Sequence, residues 1–173
     1  MASATQIPVS EYLHTTYRPD REYVDGELEE RNVGEYDHNV VQRAITFWFH
    51  TRSRDWSVRS IQEQRTRLTP TRYRIPDVSV FRRETPVEQV FTRPPLIAIE
   101  VLSPEDRHIK AQEKIQDYIQ FQVPNIWIID PKTREGWDCS TGNWVRKERF
   151  EVADTTIYLS LNELFSELDS EEA

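Results

Sequence analysis

The chain has 173 residues, of which 37% are hydrophobic and 30% charged, a composition typical of a folded protein and not of a disordered one. We expect one domain over residues 1–173, frayed at residues 1–9 and 169–173. No segment approaches the ~20 apolar residues that span a bilayer, and no signal peptide is recognisable. The sequence therefore predicts a cytoplasmic protein without a membrane partner.

The net charge of −8 disfavours nucleic acid as a partner, because DNA binding relies on Lys and Arg displacing counterions. Residues 43–83, however, contain ten arginines, no lysine and three acids, a net charge of +7, and the rest of the chain carries −15. Guanidinium groups match phosphate oxygens in a bidentate way, which favours phosphate contact. The alternative is a solvated face of strands whose arginines pair with acids from elsewhere.

The first half of the chain begins with a short helix predicted from Ser10. Two short strands follow within residues 21–31, around the hairpin dipeptide Asp25-Gly26. Apolar residues then recur on one helical face over residues 37–54, which predicts a long helix with Asp37 as its N-cap.

Runs of β-branched residues predict two further strands, at residues 56–70 and 73–81, and a third at Leu96–Leu102. Residues 103–106 read Ser-Pro-Glu-Asp, a good helix start, and we expect that helix to reach about Gln122.

The last part of the chain predicts a fourth buried strand at residues 125–131 and a hairpin at 135–150 that turns at 141–143. A final strand within residues 155–165 leads into a closing helix at Leu161 to Leu168. This order of elements implies an α/β (α+β) fold, with a central mixed sheet flanked by helices and an added N-terminal hairpin.

Glu100 interrupts the apolar run of the third strand. A buried, ionised carboxylate must pair with a cation, hold a metal or be protonated. Asp77, directly after Pro76, is a second acid in an apolar strand, and neighbouring strands could bring the two carboxylates together. Mg²⁺ (or Mn²⁺) would balance their charge, and the backbone carbonyl of Val101 could add a ligand.

The only cysteine, Cys139, and the absence of CxxC and HExxH motifs exclude an internal disulfide and the common zinc sites. Any metal should therefore be a hard cation with oxygen ligands.

Lys114 is the third candidate residue, on the helix that follows Ser103. It lies at the border of the buried stripe of that helix, so its stem could lean on the core while its ammonium reaches Glu100. The alternative is an ordinary solvent-facing lysine.

These motifs together resemble one known family. Pro76-Asp77 is on one strand, IEVLSP at residues 99–104 is on the next, Glu113-Lys114 lies three residues before Asp117-Tyr118, and IWIIDP follows at residues 126–131. The series resembles the Uma-type family of restriction endonucleases, within the PD-(D/E)XK nuclease superfamily, from Tyr23 to the closing Leu-Phe.

The resemblance implies a restriction endonuclease-like fold, a divalent metal held by Asp77 and Glu100, and DNA as substrate. The superfamily lysine usually lies two residues after the acid, where this chain has Leu102, so the resemblance transfers the role to Lys114.

Glu27 and His38 match further polar positions of the family. The resemblance implies that Glu27 supports the metal and that His38 contacts phosphate or water. The chain departs from the family at Lys110, where an acid is frequent, and at Gln122, where a glycine commonly ends the helix.

The leading hypothesis is therefore a metal-dependent DNA endonuclease. We expect a homodimer, because cutting both strands of a duplex usually needs two sites. A nuclease-like scaffold that binds nucleic acid or a protein without cutting is the main alternative. A glycosidase using the two carboxylates is a third hypothesis, but it leaves Lys114 and the arginines unexplained.

Overall fold

The computed structural model describes residues 6–31, 34–103 and 108–172. The helices are α1 (Val9–His14), α2 (Tyr36–Thr51), α3 (His108–Gln120) and α4 (Leu161–Glu172). The strands are β1 (Arg21–Val24), β2 (Glu27–Glu30), β3 (Val58–Gln62), β4 (Thr66–Thr69), β5 (Arg72–Arg74), β6 (Val78–Arg82), β7 (Ile97–Val101), β8 (Asn125–Asp130), β9 (Glu135–Asp138), β10 (Val145–Arg146), β11 (Arg149–Glu151) and β12 (Tyr158–Ser160). None of the helices so described is long and apolar enough to cross a membrane.

A six-stranded mixed sheet in the order β10-β9-β8-β7-β6-β3 forms the centre of the fold. Strands β7 and β8 run parallel, and the other neighbours in this sheet run antiparallel. A parallel pair needs a crossover connection, and α3 lies in the segment that joins β7 to β8.

The two faces of this sheet are covered by different helices. Ile97, Ile99 and Val101 of β7 pack in the cluster that contains the apolar faces of α2 and α4. Ala98 packs in a second cluster with Ile115 and Tyr118 of α3. Because side chains of a strand alternate between faces, the protein has three layers, and Glu100 shares the α3 face with Ala98.

A second sheet, in the order β2-β1-β5-β4, carries the N-terminal hairpin. Its turn residues Asp25 and Gly26 have φ angles of 50° and 99°, the left-handed conformation that Asp-Gly favours in two-residue hairpins. Tyr12 of α1 packs on Tyr23 and Tyr73 of this sheet, in a core of its own.

The predicted mixed sheet with flanking helices and the N-terminal hairpin are both present. The prediction of two strands at residues 56–70 and 73–81 is wrong, because the structure has four. Glu63, with a φ of 49°, separates β3 from β4, and the Ile75-Pro76-Asp77 segment separates β5 from β6. Strands β4 and β5 join the second sheet.

Asp37 is not the N-cap of the long helix. Glu35 occupies that position, and Asp37 lies in the first turn, where its negative charge is favourable beside the helix N-terminus. The predicted helix start at residues 104–106 lies outside the described residues. After α3, Gln122 has a φ of 64°, so glutamine adopts here the conformation that a glycine adopts easily.

Parts of both segments that we expected to fray make specific contacts. The Ile7 amide donates to the Gly26 carbonyl. Near the other end, Asp169 pairs with Arg134 and Glu171 pairs with Arg43, so α4 continues beyond Leu168.

Candidate active site

A polar cleft of about 70 Å³ lies where β6 begins, β7 ends and α3 packs against the hairpin. Such a volume holds a few water molecules. Five of the predicted residues contribute to its walls, namely His38, Asp77, Glu100, Val101 and Lys114.

Asp77 precedes β6 directly, and its side chain is bound on both oxygens. Arg31 Nη2 donates to Oδ1 at 2.8 Å, the Val101 amide donates to Oδ2 at 2.8 Å, and His38 Nε2 lies 3.3 Å from Oδ2. Burial alone would raise the pKa of Asp77, but His38, Lys114 and Arg31 together lower it. Asp77 is therefore a carboxylate held in its charged form.

Glu100 is 6% exposed and points into the same cleft. Lys114 Nζ donates to Oε2 at 3.0 Å, and the Tyr118 hydroxyl donates to Oε1. Burial and the nearby charges of Asp77 and Glu22 raise the pKa of Glu100 to about 7, although Lys114 opposes the shift. This carboxyl is thus poised between its charged and neutral forms at physiological pH.

Lys114 points inward, toward Glu100. Its ammonium lies 3.0 Å from Glu100 Oε2 and 3.6 Å from Glu22 Oε1. Burial would lower its pKa, but Glu100, Glu22 and Asp77 raise it. The lysine therefore stays protonated, which suits it to charge neutralisation rather than to proton abstraction at neutral pH.

The structure does not bring Glu27 to the cleft. Glu27 is exposed beside the hairpin turn, whereas Glu29 and its cross-strand partner Glu22 both reach the cleft. Glu27 is on the same face as Glu29 but two residues nearer the turn, roughly 7 Å along the strand.

Glu22, Arg31 and Tyr118 reach the site although the sequence did not single them out for it. Glu22 is 2% exposed, and it accepts hydrogen bonds from Arg74 and from the Ile75 amide. In the sequence, Tyr118 belongs to the Asp117-Tyr118 pair and lies, like Lys114, at the border of the buried stripe of α3. Its position one turn after Lys114, on the same side of α3, is the signal that could have placed it beside Glu100.

His38 and Val101 both line the cleft and both contact Asp77. His38, 9% exposed, has its pKa raised by Asp77 against the effect of burial. Val101 lines the cleft and contributes its amide to Asp77.

The residues around the cleft favour a cation. Six acids line it, namely Glu22, Glu29, Glu30, Glu63, Asp77 and Glu100, against the cationic Arg31, Lys110 and Lys114. Among residues 6–31, 34–103 and 108–172, no three His, Cys, Asp or Glu side chains form a ready metal-binding group. Mg²⁺ nevertheless often takes only one or two carboxylates and completes its shell with water and phosphate. Asp77 and Glu100 therefore fit it chemically, provided that the ion replaces protein donors on their oxygens.

The chain is similar to a known family and to a solved structure. Residues 9–167 match the Uma2 family, whose description is "Putative restriction endonuclease". A solved structure of a "putative nuclease belonging to DUF820" from Anabaena variabilis superposes with a TM-score of 0.76, at 20% identity, over 92% of this chain and 98% of that one. At that identity the likeness shows the fold alone. None of the curated proteins compared with the chain matches it. Since the family match covers nearly the whole sequence, the chain belongs to the Uma2 family of restriction endonuclease-like proteins.

Proposed function

We propose that the protein hydrolyses phosphodiester bonds of DNA with Mg²⁺ or Mn²⁺ as cofactor. The observation that carries this proposal is the meeting of Lys114 with Glu100, at 3.0 Å, in a cleft that Asp77 also lines. Two carboxylates can hold a divalent ion and a charged lysine can stabilise developing negative charge, so this cleft suits metal-assisted phosphodiester hydrolysis. Family membership supports the same reaction class.

In this proposal Asp77 and Glu100 hold the divalent ion. The ion would supply polarisation of the phosphate and a lowered pKa of a bound water. Lys114 contributes a fixed positive charge for the developing negative charge, and Tyr118 and Glu22 keep Glu100 and Lys114 in place. His38, held by Asp77, is positioned to contact phosphate or water.

The direct test is cleavage of plasmid and oligonucleotide DNA with Mg²⁺ or Mn²⁺. Asp77→Asn, Glu100→Gln and Lys114→Gln should each lower the rate by about 100-fold or more. Asp169→Asn is the matched control, because this exposed acid of α4 pairs with Arg134 and does not line the cleft. Equal cleavage by all variants, or none by the wild type, contradicts the proposal.

A nuclease-like scaffold that binds without cutting is the second candidate. The observation in its favour is that all four oxygens of Asp77 and Glu100 accept hydrogen bonds or ion pairs from the protein. Titration calorimetry with Mn²⁺ separates the two candidates, since only the enzyme needs a metal site. DNA binding without Mn²⁺ binding would favour the scaffold.

The proposed enzyme acts on DNA in the cytoplasm as a homodimer, since two copies are needed to cut two strands together. Sedimentation of the purified protein, with and without DNA, tests the dimer. A monomer under both conditions would contradict the proposed homodimer.

A further inference from the structure

Arg31 occupies the place on Asp77 that a metal ion needs. Its guanidinium is bound to Asp77 Oδ1, and its side chain is only 11% exposed. The other carboxylate oxygen, Oδ2, is held by the Val101 amide and faces His38. A backbone amide within a paired strand cannot turn away, whereas an arginine side chain can change rotamer. An ion that binds Asp77 therefore competes with Arg31 for Oδ1.

The surroundings of Arg31 allow that exchange. Arg31 directly follows β2, which is an edge strand of its sheet. Its second partner is Glu63, 3.4 Å away and 54% exposed. The Glu63 amide donates to the Asp77 carbonyl, so this partner is fixed close to the cleft. Glu63 can therefore keep the guanidinium near the cleft after Asp77 has been released.

Electrostatic repulsion disfavours a divalent ion and a guanidinium on the same oxygen. A divalent ion and a guanidinium that share Oδ1 would lie only a few ångströms apart and repel each other strongly. Released beside the ion, the guanidinium is in the right place for a phosphate, which it can bind through two parallel hydrogen bonds.

We propose that Arg31 alternates between two partners, Asp77 in the metal-free protein and a substrate phosphate once a divalent ion holds Asp77. This inference rests on the proposed function and goes beyond it. In the metal-free protein, Arg31 is the counter-ion of Asp77. When a divalent ion displaces it, the same guanidinium becomes a ligand for a substrate phosphate.

The first arm of the test measures metal binding without DNA. Calorimetric titration with Mn²⁺ compares the wild type with Arg31→Gln. Because the variant has no competing cation on Oδ1, it should bind Mn²⁺ roughly tenfold more tightly. Arg65→Gln is the matched control, since Arg65 is a partly buried arginine paired with Asp20 and does not line the cleft. It should match the wild type.

The second arm measures DNA binding with Ca²⁺ by fluorescence anisotropy, with a gel to show that the DNA stays intact. Arg31→Gln should bind DNA about fivefold or more weakly, because it lacks the phosphate ligand. Tighter metal binding with weaker DNA binding is a pair of opposite signs that general loss of structure does not produce.

The outcomes separate the two proposals. If the wild type binds no Mn²⁺, the proposed metal-dependent function fails. If the wild type binds Mn²⁺ but Arg31→Gln binds it no more tightly, only the alternation of Arg31 is overturned. Tighter Mn²⁺ binding with unchanged DNA affinity also overturns the alternation, because Arg31 would then be a counter-ion without a substrate role. Arg31→Lys keeps the charge and should fall between the wild type and Arg31→Gln in both arms.

Discussion

Glu100 is the residue on which the candidate site is centred. The sequence showed only that a carboxylate interrupts an apolar strand, and this was enough to require a partner. The structure gives it two partners, Lys114 and Tyr118, and two acidic neighbours, Glu22 and Asp77. The acids and the burial together raise its pKa to about 7.

This raised pKa predicts a pH dependence of stability. Between pH 4.5, the ordinary pKa of a glutamate, and about pH 7, folded Glu100 keeps a proton that the unfolded chain has lost. Its stabilising contribution is therefore complete below about pH 4.5 and is lost as pH rises through 7, by about 3 kcal/mol at most. Urea unfolding in EDTA at pH 5, 6 and 8 should show this decline in the wild type and a flatter profile in Glu100→Gln. If stability fell equally with pH in the wild type and in Glu100→Gln, the raised pKa of Glu100 would be contradicted.

The sequence could identify Asp77, Glu100 and Lys114 because each breaks or borders an apolar pattern. It could not choose among the acids of the hairpin, because Glu22, Glu27 and Glu29 differ only in how far they lie from the turn. That distance matters only once the hairpin is docked. Arg31 was equally hidden, since its partners come from residues 63 and 77, which are remote in the chain.

At the scale of elements, one buried ion network fastens the N-terminal hairpin to α3. Arg74 of β5 is 2% exposed and donates to Glu22, Glu29 and Asp117. Arg72 extends the network by pairing with Asp117 and Asp25. Because Glu22 and α3 both contribute to the cleft, the network also holds the site's two sides together.

Arg74→Met should destabilise the protein by about 3–5 kcal/mol, because it leaves Glu22 and Asp117 buried without their main cation. Arg43→Met is the control: its partner Glu171 is on the surface, and both side chains are about 60% exposed, so the loss should stay below about 1 kcal/mol. Urea unfolding of both variants measures the difference. Equal stabilities would show that the network adds nothing to the docking.

The boundaries of the strands show why the fold was predicted only in outline. Hydrophobic alternation located the strand-forming segments, but it did not reveal that residues 56–81 serve two sheets. The chain breaks at Glu63, which adopts the left-handed backbone conformation. Because glutamate rarely adopts this conformation, the sequence does not indicate a break there. The sheet that each strand joins is decided by contacts with residues far away in the chain.

At the scale of the whole molecule, the arginine-rich segment is divided between structural and surface roles. Arg74 is buried, Arg52 lies over the ring of Trp48 at 3.8 Å, and Arg43 pairs with Glu171. Arg82 and Arg83 are exposed. They lie at the end of β6 opposite Asp77, roughly 16 Å from it along an extended strand.

This arrangement predicts that cleft charges, rather than the arginine total, control DNA binding. At 150 mM salt, charges act over about 8 Å, so an Arg82→Gln, Arg83→Gln double variant should change DNA affinity less than about twofold. Lys110→Gln, at a residue that lines the cleft, should weaken it about threefold or more. Anisotropy titrations at several salt concentrations would measure both. A larger loss of affinity in the Arg82, Arg83 double variant than in Lys110→Gln would place the bound DNA at the end of β6 opposite Asp77.

The β7–α3–β8 crossover has a consequence for how the molecule assembles. Glu100, Lys114 and Tyr118 all belong to this one continuous stretch of chain, so their contacts span 14 and 18 residues. Asp77 reaches its partners His38 and Arg31 over 39 and 46 residues. Since short loops close at lower entropic cost, the contacts of Glu100 with Lys114 and Tyr118 should form early during folding. The contact of Asp77 with His38 should follow when α2 packs on the central sheet, and its contact with Arg31 should form when the second sheet docks.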